Sequence, residues 1–193
     1  MFDSGLLDRF TRVHPGVPVL VFAPIVGLLL LTGLERAGAA TGLTLAVAGY
    51  GFWTLAEYWL HRTVFHYEPG SRLGRRLHWM LHGVHHDHPN DRLRLVMPPS
   101  ASLPLAGGFC LAFWLVLGAA AAPGFAAGFL GGYLAYDMVH FHLHHHRPRT
   151  AVGRRLRELH MRHHFEDDEC GFGVSAPWWD HLFGTAPRRG AST

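Results

Sequence analysis

Ten of the seventeen histidines in this 193-residue chain stand in four short groups, and their spacing suits metal ligation. His61 and His66 are separated by four residues, and His140 and His144 by three. His82-Gly83-Val84-His85-His86 and His160-Met161-Arg162-His163-His164 share the spacing His-x-x-His-His. An imidazole with its ordinary pKa near 6.5 is mostly neutral at neutral pH, so a ring nitrogen can donate its lone pair to a metal. Residues three and four apart share one face of an α-helix. His82 can therefore act with His85 and His86, His160 with His163 and His164, and His140 with His144. His61 and His66 are about 140° apart on a regular helix and need a local bend, a π-bulge or two different metals to serve. Ten imidazoles exceed the ligands of one tetrahedral or octahedral centre, so two metals are the natural count.

The remaining histidines carry less. His145 and His146 extend a tract, His142 points away from the 140/144 face, His78 precedes His82 by one turn, His88 follows the second cluster by two residues, and His14 and His181 are isolated. These read as surface or packing residues. Two carboxylates stand close enough in sequence to orient ligands: Glu57, one turn before His61, and Asp137, three residues before His140. A metal-bound imidazole usually donates its other N–H to such a partner. Ion pairing with an arginine is the competing role for each. Cys110 and Cys170 fit neither a zinc ribbon nor a disulfide framework, and free thiols are expected.

The elements that must position these groups are apolar helices, and the fold class expected is all-α and membrane-spanning. No charge appears from Val13 to Leu34, and Ala37 to Ala56 is again uncharged. Each run is long enough to cross a bilayer, which takes about 20 residues. Leu95 to Tyr136 is uncharged for 42 residues. One straight helix of that length would measure about 63 Å, twice the hydrocarbon thickness. Ala122-Pro123-Gly124 offers a break. Four spans follow, near 17–34, 38–60, 103–121 and 125–141, as two hairpins in a single domain over 1–193. The polar segments 61–100 and 142–193 form a helical cap, with a basic helix over 151–165. The polar residues 1–14 are expected at the membrane surface. Phe172, Trp178, Trp179 and Phe183 suit either the headgroup boundary or packing on the cap.

Arginine placement orients the spans. The chain has no lysine. Two arginines precede the first span, six lie in the middle loop, eight follow the fourth span, and only Arg36 falls on the opposite side. The positive-inside rule then puts both termini and the histidines on the cytoplasmic side. No secretory signal is visible in the first sixteen residues. The arginine-only usage fits a GC-rich genome, and the expected location is a bacterial inner membrane.

Several stretches carry a specific resemblance: HRTVFH at 61–66, LHGVHHDHPNDRLRLVMPP at 81–99, YDMVHFHLHH at 136–145, and LHMRHHF followed by GFGVSAPWWDHLFGT. In these the chain resembles the fatty acid hydroxylase superfamily, and most closely its fatty acid and sphingolipid 2-hydroxylases, over roughly residues 50–186. Asp87-His88 departs from the family pattern. The resemblance implies metal ligands at His61, His66, His82, His85, His86, His140, His144, His160, His163 and His164. It implies a non-heme di-iron centre, with zinc a metal that isolated proteins of this kind can carry. The implied reaction inserts one oxygen atom from O2 next to a fatty acyl carbonyl, with two electrons. No fused cytochrome domain is expected from these residues, and the electrons are expected from a separate donor: a b-type cytochrome, a ferredoxin or a reductase. The substrate expected is a membrane lipid, and no nucleic-acid partner is expected. An acyl chain entering between spans would pass Trp53, Tyr58, Trp59, Phe109 and Trp114.

The nearest alternative is a sterol, hopanoid or carotenoid hydroxylase or desaturase of the same superfamily, with the same metals and a different pocket. A metal transporter would place its ligands near the bilayer midplane, in broken spans, whereas these histidines stand at span ends and in the polar loops expected on the cytoplasmic side. A zinc-dependent lipid hydrolase needs an open zinc site and a general base. Only Glu158, Glu166 and Glu169 lie near the last cluster.

Overall fold

The computed structural model describes residues 12–187. The residues 1–11, including most of the segment expected at the membrane surface, and 188–193 lie outside the described part. Among the described residues every regular element is helical. In chain order these are α1 (Gly16–Ala37), α2 (Ala39–Leu60), a π-turn (His61–Phe65), α3 (Arg72–His78), a second π-turn (Trp79–Gly83), α4 (Val84–Asp87), α5 (Pro99–His145), α6 (Ala151–Phe165) and α7 (Trp178–Phe183). They form two compact units, and both α2 and α5 contribute to each.

The first unit takes its residues from 12–54 and 91–138. Among the described residues three helices are long and apolar enough to cross a membrane: Gly16–Ala37, Ala39–Phe65 and Pro99–His145. Leu20, Leu28, Leu31, Val47, Leu115 and Val116 turn outward on them. So much exposed aliphatic surface is unfavourable in water and neutral against lipid tails. α1 ends after Glu35 and Arg36, where Gly38 takes φ 81°, a conformation that costs glycine little.

α5 corrects the expected break at Pro123. Its backbone leaves the helix at Gly118 (φ 75°, ψ 171°), while Pro123 stays inside. The reason is steric. That φ/ψ combination is essentially a glycine conformation, whereas a proline near a helix start lacks only a donor. Pro123 leaves the Ala119 carbonyl without its usual i+4 partner, and Arg36 Nη1 donates to that oxygen at 3.2 Å.

Small residues let these helices approach at backbone distance. A Cβ on Gly128 would stand 1.7 Å from Ala46 O, and one on Gly49 would stand 2.0 Å from Phe125 O. Around these contacts lies an aromatic core. Phe22 meets Tyr133 edge-on at 5.0 Å, and Trp53 meets Phe129 at 5.2 Å. Phe109 packs on Phe129 at 4.8 Å. Of the side chains expected along a lipid path, Trp53 is thus a core residue of this unit, Phe109 is half-buried against Phe129, and Trp114 is exposed.

The second unit takes its residues from 55–90 and 139–187. It holds the ends of α2 and α5, both π-turns, α3, α4, α6 and α7. The basic helix expected over 151–165 is α6. Of the tail aromatics, Phe172 is buried and Trp178 exposed, while Phe183 stacks on the buried Tyr58 at 5.0 Å. Packing and surface roles are therefore divided among them.

Candidate metal centre

All ten histidines belong to the second unit, and they gather in two groups of five. The first holds His61, His66, His82, His86 and His163, and the second holds His85, His140, His144, His160 and His164. Within each group one ring nitrogen per residue lies within 4.8 Å of the others.

Local helix geometry explains the grouping. His61 opens the first π-turn and His66 closes it, with His66 N bonded to His61 O at 3.2 Å. That i→i+5 bond brings two residues five apart onto one face. The pair that a regular helix would separate thus meets, with Nε2 atoms 3.3 Å apart. His78 supports this turn by donating from Nε2 to the Phe65 carbonyl. His140 and His144 need no such device, being four apart near the end of α5.

The two His-x-x-His-His runs do not act as undivided three-ligand patches. His82 and His86 face the first group, with Nε2 atoms 2.9 Å apart, while His85 meets His164 of the second group at 3.1 Å. In α6 the division is reversed, since His160 and His164 join the second group and His163 joins the first. Consecutive residues diverge by about 100° on a helix, so adjacent histidines cannot both point at one ion. Each group therefore takes the outer pair of one run and the middle histidine of the other.

A sequence repeat underlies this reciprocity. Pro69-Gly70-Ser71-Arg72-Leu73-Gly74-Arg75-Arg76-Leu77 returns as Pro148-Arg149-Thr150-Ala151-Val152-Gly153-Arg154-Arg155-Leu156. Ser71 Oγ accepts from Gly74 N and Thr150 Oγ1 from Gly153 N, each at 3.0 Å. The side-chain oxygen satisfies a free N–H of the first turn in both helices. Arg75 donates to Gly70 O and Arg154 to Arg149 O, each at 2.6 Å. The first copy carries one extra residue between glycine and histidine, and one extra within its histidine pair. A π-turn absorbs each insertion.

The donor geometry fits metal ions. Two nitrogens about 2.1 Å from one ion stand about 3.0 Å apart at a right angle and about 3.4 Å apart at the tetrahedral angle. The Nε2 contacts within the groups, from 2.8 Å for His144 and His160 to 3.3 Å for His61 and His66, fall near that range. His61 Nδ1 donates to Phe172 O, and His163 Nδ1 to Cys170 O, both at 2.7 Å. Each bond selects the tautomer whose Nε2 carries the lone pair. His163 Nε2 is buried without a hydrogen-bond partner among the described residues, as a nitrogen that faces an ion would be. The Phe172 ring covers the first group, 5.7 Å from His61, 5.3 Å from His66 and 5.8 Å from His163.

The two carboxylates have other partners. Glu57, buried in the second unit, accepts from Ser175 N at 2.7 Å and from the Ser175 hydroxyl. Asp137, buried in the first unit, accepts from Tyr133 Oη at 3.5 Å and from Met97 N. Among the described residues neither takes the arginine pairing that competed with a ligand-orienting role. The carbonyls that orient His61 and His163 come instead from the tail, where backbone groups leave no residue-type signal in sequence.

Burial keeps these rings neutral. It lowers the pKa values of His82, His85, His160, His163 and His164. It also brings His66 to about 3 and His86 to about 4, with the neighbouring His163 adding to both shifts. In the unfolded chain the same rings take protons near pH 6.5. Stability is then complete above about pH 6.5 and falls as pH drops, because the unfolded state binds the extra protons. The unfolding midpoint of the metal-free protein should decline steadily from pH 6.5 towards pH about 4. A midpoint that stayed level over that interval would contradict the packing of neutral rings described here.

Comparison with known proteins follows the same lines. Residues 46–185 match the fatty acid hydroxylase family profile. The chain is 42% identical over 191 residues to a dihydroceramide fatty acyl 2-hydroxylase of Arabidopsis thaliana, covering 96% of this chain and 79% of the relative. It is 37% identical to a ceramide very long chain fatty acid hydroxylase of Saccharomyces cerevisiae, covering 94% of this chain and 48% of the relative. It is 40% identical to a fatty acid 2-hydroxylase of Rattus norvegicus, covering 96% and 56%. A solved structure described as full-length scs7p, with only the hydroxylase domain visible, superposes with a TM-score of 0.91 at 35% identity, covering 99% of this chain and 73% of that one. With a profile that matches most of its length and a 42%-identical relative of which it covers 79%, this chain belongs to the fatty acid hydroxylase family.

Proposed function

We propose that this integral membrane protein hydroxylates a membrane lipid at C2 of a fatty acyl chain, at a two-metal centre held by the ten histidines. The observation that carries the reading is the pair of five-imidazole groups, each gathered from separated parts of the chain. The plant and rat relatives, named as 2-hydroxylases, supply the position of attack. One atom of O2 enters the C–H bond beside the acyl carbonyl. The other leaves as water, consuming two electrons and two protons. Two iron ions bound by these histidines would supply the redox capacity that zinc lacks. The chain's own contribution is to hold ten neutral rings in place and to keep water away from them, as the Phe172 ring does over the first group. The electrons come from a separate b-type cytochrome, ferredoxin or reductase.

The topology proposed has four crossings: α1, α2, and the parts of α5 on either side of Gly118. Segments 61–100 and 142–193 then form a cytosolic cap. Arginine placement supports that orientation, with Arg36 alone on the far side. The relatives named above are eukaryotic, so a bacterial inner membrane rests on composition alone.

Mass spectrometry of lipids from cells with and without expression tests the activity. The expected result is a gain of one oxygen atom, with fragments placing the hydroxyl at C2. Loss of two hydrogens, or an altered isoprenoid, would replace this reading with a desaturase or a sterol- or carotenoid-directed enzyme. Product formed without O2 and reductant would rule out an oxygenase.

A further inference from the structure

Two backbone carbonyls of the tail reach rings of the first histidine group, Phe172 O on His61 and Cys170 O on His163. In the second group, Nδ1 of His85, His160 and His164 is buried with no hydrogen-bond partner among the described residues. The two groups are alike in ligand type and spacing, yet they differ in what stands behind the rings.

The segment that bears these carbonyls is itself held by one side chain. Asp180, 2% exposed, accepts from Phe172 N on one carboxylate oxygen and from Gly173 N on the other, both at 2.8 Å. Two adjacent N–H donors match the two oxygens of an ionised carboxylate. Gly173 permits the approach, since a Cβ there would stand 2.4 Å from Ala176 O and 2.8 Å from Asp180 Oδ2. Thr185 Oγ1 donates to Asp180 Oδ1 at 2.8 Å and lies 3.0 Å from the hydroxyl of the buried Tyr58. Arg62 Nη1 donates to that same phenol at 2.9 Å. The carboxylate is thus locked from behind, and the peptide it holds presents a carbonyl to His61.

We propose that Asp180 is a positioning residue for the first metal group: through the Phe172–Gly173 backbone it sets the orientation and tautomer of His61, and it does not act on the second group. This rests on the two-metal reading of the histidines. Removing a partner behind a metal-bound imidazole typically costs about 10–100-fold in metal affinity. An Asp180→Asn side chain keeps the shape but offers one acceptor and turns an NH2 towards a donor. An Asp180→Ala side chain offers none.

The test is metal binding by the full-length protein in detergent, measured by elemental analysis and by titration of the metal-free form with cobalt(II), whose visible bands report the ligand field. Wild type should bind two ions. Asp180→Asn and Asp180→Ala should each weaken one ion about 10–100-fold and leave the other unchanged. In a His163→Ala background, where the first group is already broken, Asp180→Asn should add no further loss. In a His85→Ala background it should weaken the ion that remains. Should Asp180→Ala fail to fold, Asp180→Asn decides. Two ions at wild-type affinity in Asp180→Asn, or equal weakening of both, would overturn the role of Asp180 while leaving the two-metal reading intact. A wild-type protein that binds no metal would instead overturn that reading and the inference with it.

Discussion

Replacing His163 by alanine is expected to abolish 2-hydroxylated product and to remove one of two bound metals, a larger loss than the about 10–100-fold that follows from disturbing a group behind a ligand. His163 is fully buried, its Nδ1 donates to Cys170 O at 2.7 Å, and its Nε2 has no hydrogen-bond partner among the described residues. Alanine deletes the inward nitrogen and leaves the other four rings of the first group in place. His85→Ala should have the same effect on product while emptying the second group, because the groups divide the two His-x-x-His-His runs between them. The double replacement should lose both metals yet form little less product than either single one, as expected where parts act as a unit. His142→Ala is the matched control, an exposed imidazole stacked on His146 at 4.9 Å that belongs to neither group. Elemental analysis beside lipid mass spectrometry reads all four proteins. If His163→Ala kept two metals and normal product, the assignment of ligands would be wrong.

Gly128→Leu should disrupt the first unit, with loss of monodisperse protein in detergent or a large fall in the unfolding midpoint. The Cβ alone would stand 1.7 Å from Ala46 O and 2.6 Å from Ala46 C. These are backbone atoms that no rotamer change can move, so α2 and α5 must separate locally. Overpacking of side chains typically costs about 1–3 kcal/mol, and more is expected where backbone must shift. Gly107→Ala provides the contrast, since its Cβ meets nothing within 4 Å. Size-exclusion chromatography and thermal unfolding distinguish the two. Equal behaviour of both variants would mean that the close approach of these helices contributes nothing to stability.

Much of the architecture is legible in the residues. Uncharged runs mark α1, α2 and α5 because a bilayer admits only segments that satisfy their own backbone and carry few charges. The ten histidines are legible as candidate ligands because imidazoles rarely cluster without a ligand. The basic helix 151–165 is legible from its composition, whereas its Thr150 cap is a finding of the structure. The break in α5 is less so. Proline is the usual signal for a break, but the chain departs from the helix at Gly118, one of several glycines in that run, and an arginine distant in sequence attends to the carbonyl that Pro123 leaves.

By itself the sequence determined the kind of chain, its apolar spans and the ten imidazoles, all of which depend on residue type and spacing along one strand of covalent bonds. Only the tertiary structure decided which five histidines meet. Helical periodicity assigns residues to a face but cannot say what that face meets, and the two π-turns move His66 and His82 by an increment that no residue type announces. It also decided that the rings of His61 and His163 are held by the carbonyls of Phe172 and Cys170, with Asp180 behind them. Every residue carries a carbonyl, so nothing in the sequence distinguishes the two that matter; distance alone selects them.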